Sequence, residues 1–212
     1  MKWLRSAVAL LVLFPVLVLA QPKPGVNYGE LKPAQPVESA GKVEVLEFFW
    51  YGCPHCYTLE PALENWAKKL PPDTDFKRIP AVLSGSWEPH ARFYYAFEAL
   101  GVLEKLHRPF FDAIHRDRLR LDSVEAVNQW LAKNGVDAKK FADATRSFGV
   151  TSKVKRAAQL SAAYRVDGVP MLAVQGRYTV STEQGGSQQG MLDITSFLVG
   201  QSRKDLKQPA RK

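Results

Sequence analysis

The sequence predicts an α/β domain carrying an all-helical insertion. Three observations support that class. A β-α-β pattern runs from Val43 to Val82, only helical patterns follow from about Trp87 to Tyr164, and strand patterns return at Met171.

Residues 1–20 have the anatomy of a secretory signal peptide: Lys2 and Arg5 form a charged start, Ala7 to Leu19 is apolar, and Val18-Leu19-Ala20 offers a cleavage site. Pro15 interrupts the apolar stretch, which is shorter than the roughly 20 residues a spanning helix needs, so cleavage after Ala20 is expected. Residues 21–40 are proline-rich without a clear period and read as an extended lead-in. Val43 to Tyr51, rich in β-branched and aromatic residues, reads as a buried strand. From Tyr57 to Leu70, Leu59, Leu63, Trp66 and Leu70 recur at helical intervals, and Pro71-Pro72-Asp73 stops that helix. Phe76 to Val82 reads as a second strand, parallel to the first through a right-handed crossover.

In the helical block, Ala91–Leu100, Leu103–His115, Val124–Lys133 and Lys139–Phe148 are each amphipathic, separated by Gly101, Arg118–Leu121 and Gly135. Asp122 or Ser123 can cap the third helix and Asp137 the fourth. Lys153–Tyr164 makes a fifth. Met171–Val174 and Arg177–Val180 then flank Gln175-Gly176, a tight hairpin turn. Glu183–Gly190 reads as a polar, glycine-rich loop, and Leu192 to Arg203 as the final helix.

The formal net charge of +8 falls to +6 without residues 1–20, because Lys2 and Arg5 leave and no acid does. The remaining cations are scattered apart from a C-terminal cluster, with no basic stripe and stacking aromatics of the kind a nucleic-acid binder shows. No nucleic-acid partner is expected. About 190 residues suffice for one two-part domain with a sizeable core.

Cys53 and Cys56 are the only two cysteines, and they stand where the strand gives way to the helix. A disulfide between them closes a very short loop, so it stabilises the fold little. Redox chemistry suits the pair better. Cysteine reacts as the thiolate, which a helix N-terminus or a nearby cation favours. Cys53 falls at the first helical turn, Pro54 suits the first helical position, and His55 can donate to the Cys53 sulfur or add positive charge. Cys53 is read as the exposed nucleophile and Cys56 as the more buried resolving thiol. Stabilising the Cys53 thiolate stabilises the dithiol and makes the disulfide more oxidising, at about 1.4 kcal/mol per pKa unit. Zinc would need about four protein ligands, and His90, His107 and His115 show no ligand-like spacing. Covalent haem would need histidine at position 57, which is Tyr57. No metal or other cofactor is expected.

Two further residues stand out. Glu47 lies inside the apolar strand, on the face of Val43, Val45 and Phe49, where a carboxylate is costly unless paired. It suits a proton acceptor or donor for Cys56, a structural partner of Arg78 on the neighbouring strand, or both. Pro170 precedes a strand in which it could not donate to a ladder, so Gly168-Val169-Pro170 implies a bulge, an edge or a cis bond.

In order and context, Leu46-Glu47-Phe48-Phe49, Cys53-Pro54-His55-Cys56-Tyr57, Gly168-Val169-Pro170 and Val174-Gln175-Gly176-Arg177-Tyr178 resemble the DsbA-type thiol:disulfide oxidoreductases of the bacterial periplasm, in the thioredoxin superfamily. Pro61 resembles the helix-kinking proline of thioredoxins. The resemblance implies a thioredoxin fold with an inserted all-helical domain, a cis Val169-Pro170 bond facing the cysteines, Glu47 as the buried acid, and Arg78 where relatives often carry lysine. Residues 41–84 and 158–204 are then the two parts of the thioredoxin domain, 85–157 the insertion and 205–212 a basic tail. It further implies an oxidase that donates its Cys53–Cys56 disulfide to reduced, unfolded exported proteins and is reoxidised by a DsbB-like, quinone-linked membrane protein. No separate dimerisation domain is evident, so a monomer is expected rather than a dimeric isomerase. The other readings are a disulfide isomerase or reductase, and a non-enzymatic peptide-binding holdase.

Overall fold

The computed structural model describes residues 21–207; the signal-peptide reading of residues 1–20 and the end of the basic tail lie outside them. The apolar run Val43–Phe49 forms β2, buried along its whole length, an interior strand of a five-stranded sheet. After α1 (Pro54–Ala67), β3 (Thr74–Pro80) pairs with β2 in parallel, from Val43 opposite Thr74 to Phe49 opposite Pro80. This is the expected β-α-β unit. The strand pattern continues to Tyr51, but Trp50-Tyr51-Gly52 turns out of the sheet, with the Cys53 N–H donating to Trp50 O at 2.9 Å. Leu70 likewise lies beyond α1, which ends on its Lys68 cap. β3 runs two residues earlier than its hydrophobic pattern, because pairing with β2 begins at Thr74.

Between β3 and β4 come only helices: α2 (Glu88–Ala99), α3 (Leu103–His115), α4 (Val124–Ala132), α5 (Ala138–Arg146) and α6 (Phe148–Ala163). Ser123, not Asp122, caps α4 by accepting the Ala126 N–H, and Asp137 caps α5 through Lys140. α6 starts five residues before the expected Lys153. Ser147 ends α5 and its hydroxyl accepts the Val150 N–H, so one serine divides the two helices.

The chain then returns to the sheet. β4 (Met171–Val174) and β5 (Tyr178–Ser181) are antiparallel, and β4 adds to β2 on the side away from β3. Gln175 (φ 52°) and Gly176 (φ 64°) make the turn. A Cβ on Gly176 would lie 2.1 Å from Gln35 O, so glycine is also required for space. The lead-in is not wholly without structure. Gly29–Glu30 is a short strand, β1, paired with β5 at the sheet edge, too short to leave a period in the sequence. The expected loop 183–190 holds a one-turn helix, α7 (Thr182–Gly185), closed by a reciprocal Ser181–Gln184 capping box. The last helix, α8, spans Gln188–Lys207, longer at both ends than its apolar pattern.

Alternation along β2 divides the core. Val43 and Val45 pack with Leu59 and Leu63 of α1 and Leu198 of α8 on one face. Leu46 and Phe48 join the aromatic core of the helical block, Phe93, Phe97 and Phe110 among it, on the other. Each fully buried side chain of this size contributes roughly 1.5–3 kcal/mol. The sheet is thereby packed on both faces up to the C-terminal end of β2, where the cysteines begin.

Candidate active site

Cys53 is the N-cap of α1, with extended backbone (φ −88°, ψ 117°), and its sulfur accepts the Cys56 N–H at 3.4 Å. Pro54 opens the helix at a position where a backbone N–H would have no intrahelical partner. Gly52 is needed behind the motif, since a Cβ there would lie 2.3 Å from the Trp50 ring, which stacks on Trp87 at 4.4 Å. The expected contrast in exposure is present but small: Cys53 is 7% exposed and Cys56 1%. Cys53 is covered because the loop before β4 reaches over it. The Val169-Pro170 bond is cis, and the protonated Cys53 sulfur donates to Val169 O at 3.3 Å. Pro170 stands just outside β4, which begins at Met171, so it interrupts no ladder.

The two thiols are driven apart. The Cys53 thiol is lowered to about 6, first by the hydrogen bond from the Cys56 side chain, then by the backbone N–H groups of Cys56 and His55 and the His55 charge, with burial opposing. Burial pushes the Cys56 thiol well above its ordinary range, and the Cys53 sulfur and the Glu47 carboxylate add to the rise. His55 itself is exposed, and its carbonyl accepts from the Gln188 side chain at 3.0 Å.

Glu47 is fully buried and faces α1, sharing Arg78 with Glu60. Val43 and Val45 are on that side as alternation assigns, but Phe49 joins the aromatic cluster of Leu46 and Phe48 at the strand's end. Arg78, its register partner on β3, places Nε 3.1 Å from Glu47 Oε2. Sequence reasoning missed the other half of this cluster. Glu60, one helical turn after Cys56, is buried and takes the Arg78 guanidinium at 2.5 Å. His107 of α3 lies 3.4 Å from Glu60 and 2.8 Å from the Tyr51 hydroxyl. The spacing of Glu60 from Cys56 is a readable signal, a charge on the apolar face of α1; nothing local links His107 to the cysteines. Burial raises the Glu47 carboxyl to about 8, with Arg78 opposing and Glu60 adding to the rise. Burial also pushes on Glu60, but His107 and Arg78 outweigh it and hold that carboxyl low.

An open cleft of about 990 Å³ runs from His55 and the Val169-Pro170 loop to Gly29, Thr182 and Gln184. Among the described residues no group of three or more histidine, cysteine, aspartate or glutamate side chains is placed to hold a metal ion.

The model of the DSBA-like thioredoxin domain matches residues 44–193, which is most of the chain. The chain belongs to this family. Among DSBA-like relatives, the thiol:disulfide interchange protein DsbA of Burkholderia cepacia is 44% identical over 183 residues, 86% of each chain. That of Azotobacter vinelandii is 41% identical over 181 residues, 85% of each. The crystal structure of Pseudomonas aeruginosa DsbA superposes with a TM-score of 0.84 at 37% identity, covering 88% of this chain and 97% of that one. The thioredoxin-like DsbA fold is therefore shared nearly end to end, helical insertion included.

Proposed function

We propose that this protein is an exported thiol:disulfide oxidoreductase that donates its Cys53–Cys56 disulfide to reduced proteins outside the cytoplasm. The observation that most directly supports this is the opposed pair of thiols, an acidic Cys53 at the helix cap above a buried, reluctant Cys56. A substrate thiolate entering along the cleft attacks Cys53 Sγ. The Cys53–Cys56 bond breaks, and the electron pair leaves on Cys56. A second substrate thiolate then attacks the substrate sulfur of the mixed disulfide, forming the substrate's disulfide and releasing the Cys53 thiolate.

Resolution by Cys56 in this direction would return the substrate reduced, so the resolving role expected for Cys56 belongs to reoxidation. There, Cys53 attacks a disulfide of a DsbB-like, quinone-linked membrane partner, and Cys56 attacks Cys53 to free that partner as its dithiol. Cys56 thus needs a proton in one half of the cycle and must lose one in the other. Glu47, raised to about 8, suits both duties near neutral pH. Pro54 and His55 tune Cys53, and Val169 with Pro170 forms the wall against which substrate backbone lies. The apolar N-terminal stretch and the DsbA names of the relatives support a periplasmic location. No helix among the described residues is long and apolar enough to cross a membrane.

Refolding of a reduced, disulfide-containing protein tests the proposal. The oxidised enzyme is expected to restore its activity stoichiometrically, and a Cys53→Ala/Cys56→Ala variant to restore none. Equal recovery with both proteins would instead favour a holdase. In cells, Cys56→Ala is expected to accumulate mixed disulfides on Cys53 in the exported fraction.

A further inference from the structure

Two buried carboxyls, Glu47 and Glu60, share one fixed cation, Arg78. Only one of them can be matched by it, and an unmatched carboxylate in this setting takes up a proton. Which one does so decides whether Cys56 has a proton to trade. Arg78 already favours Glu60, which its guanidinium hydrogen-bonds at 2.5 Å, over Glu47, whose Oε2 lies 3.1 Å from Nε without a hydrogen bond. The helical insertion adds to that asymmetry. His107 is buried on α3, wedged among the rings of Phe49, Tyr94 and Phe111, with one edge toward Glu60 and the other toward Tyr51.

Its tautomer follows from its neighbours. An ionised Glu60 can only accept, so the proton belongs on Nε2, which lies 3.4 Å from Glu60 Oε1, a charge–dipole approach without hydrogen-bond alignment. In a neutral ring Nδ1 must then accept, and Tyr51 supplies its hydroxyl hydrogen at 2.8 Å. Burial keeps that phenol protonated and keeps the imidazole from gaining a second proton. The remaining charged or titratable groups bearing on the cluster are Cys56 and the more distant Glu64 of α1, and Tyr94 of α2; none offers Glu47 a comparable donor.

We infer that His107 is a positioning residue of this redox reaction: its Nε2–H holds Glu60 as the permanent anion facing Arg78, and so leaves Glu47 as the carboxyl that exchanges a proton with Cys56. This rests on the proton-exchange role proposed for Glu47 and adds the residue that selects it. His107 touches neither substrate nor sulfur. It acts through Glu60 and Arg78, and it places part of the proton control in the inserted helices.

Carboxyl ¹³C titration of the reduced full-length protein tests the inference, with resonances assigned by their loss in Glu47→Gln and Glu60→Gln. In the wild type the Glu47 transition is expected near pH 8, with Glu60 ionised throughout the neutral range. In His107→Leu, Glu60 should move up and Glu47 down by roughly one pH unit, as the N–H dipole facing the Glu60 carboxylate is lost. The pH midpoint for Cys56-dependent release of a mixed disulfide should follow Glu47. His107→Gln, which keeps a donor toward Glu60, should restore both. Should the leucine variant fold poorly, Tyr51→Phe with ¹⁵N spectra of His107 supplies the second measurement: retention of the Nε2–H tautomer supports the inference, and its loss, which would show that Tyr51 rather than Glu60 fixes the ring, overturns it. Unmoved carboxyl transitions in a folded His107→Leu, or a doubly protonated His107 in the wild type at pH 7, overturn it. A separate failure is visible in Glu47→Gln: an unaltered release profile there refutes the Glu47 role itself, whatever His107 does to the titrations.

Discussion

Cys53 and Cys56 differ only in where their side chains end. The first sits at a helix cap with two backbone N–H groups and the Cys56 thiol turned toward it, and the second lies inside the core. A donor set that stabilises charge lowers one thiol, and loss of water raises the other. Ultraviolet titration of the reduced protein is expected to show one thiolate forming near pH 6 and no second one below pH 9. His55→Leu should move the first midpoint upward, because the His55 charge is lost while the backbone donors remain. The cap, the proline and the histidine were all legible, since they follow one another in the chain. The small exposure of Cys53 was not, because the Val169 carbonyl that covers it arrives from 116 residues away.

At the scale of elements, the site is the place where β2, α1, β3 and α3 each contribute one polar side chain to an otherwise apolar junction: Glu47, Glu60, Arg78 and His107. Alternation along β2 announced Glu47, and parallel pairing put Arg78 directly opposite it. Such buried ions are retained as a set, since each is tolerable only while its partners remain. Arg78→Met, which keeps much of the volume and removes the charge, is therefore expected to destabilise the protein by about 3–5 kcal/mol. Urea unfolding measures it, and an unchanged midpoint would mean the carboxyls find protons at no cost. Element ends were less legible than element centres. β3 begins where its neighbour begins, and α8 continues past its apolar stripe because helix propagation needs no further burial.

For the whole molecule, thiolate stabilisation and fold stability are one quantity. Cys53 is lowered from 9.0 in its ordinary state to about 6 in the fold, so the reduced protein holds this stabilisation in full above pH 9 and loses it as pH falls through 6. The disulfide form has no such group, and the raised Glu47 carboxyl bears on both forms and cancels to first order. Between pH 5 and pH 8 the reduced form should thus gain on the oxidised form by on the order of 1–2 kcal/mol after solvent screening, read from paired denaturation curves. A gap that ignores pH would remove the thiolate as the source of oxidising power. The sequence by itself determined the α/β class with its helical block, the redox pair, its helix-cap setting and the burial of Glu47, because each is written in neighbouring residues or in a short period. Only the tertiary structure decided what covers Cys53, that Glu60 shares Arg78, and that His107 reaches the cluster. Those contacts join segments far apart in the chain, and a buried charge shows in a sequence only as an oddity until the fold supplies its partner.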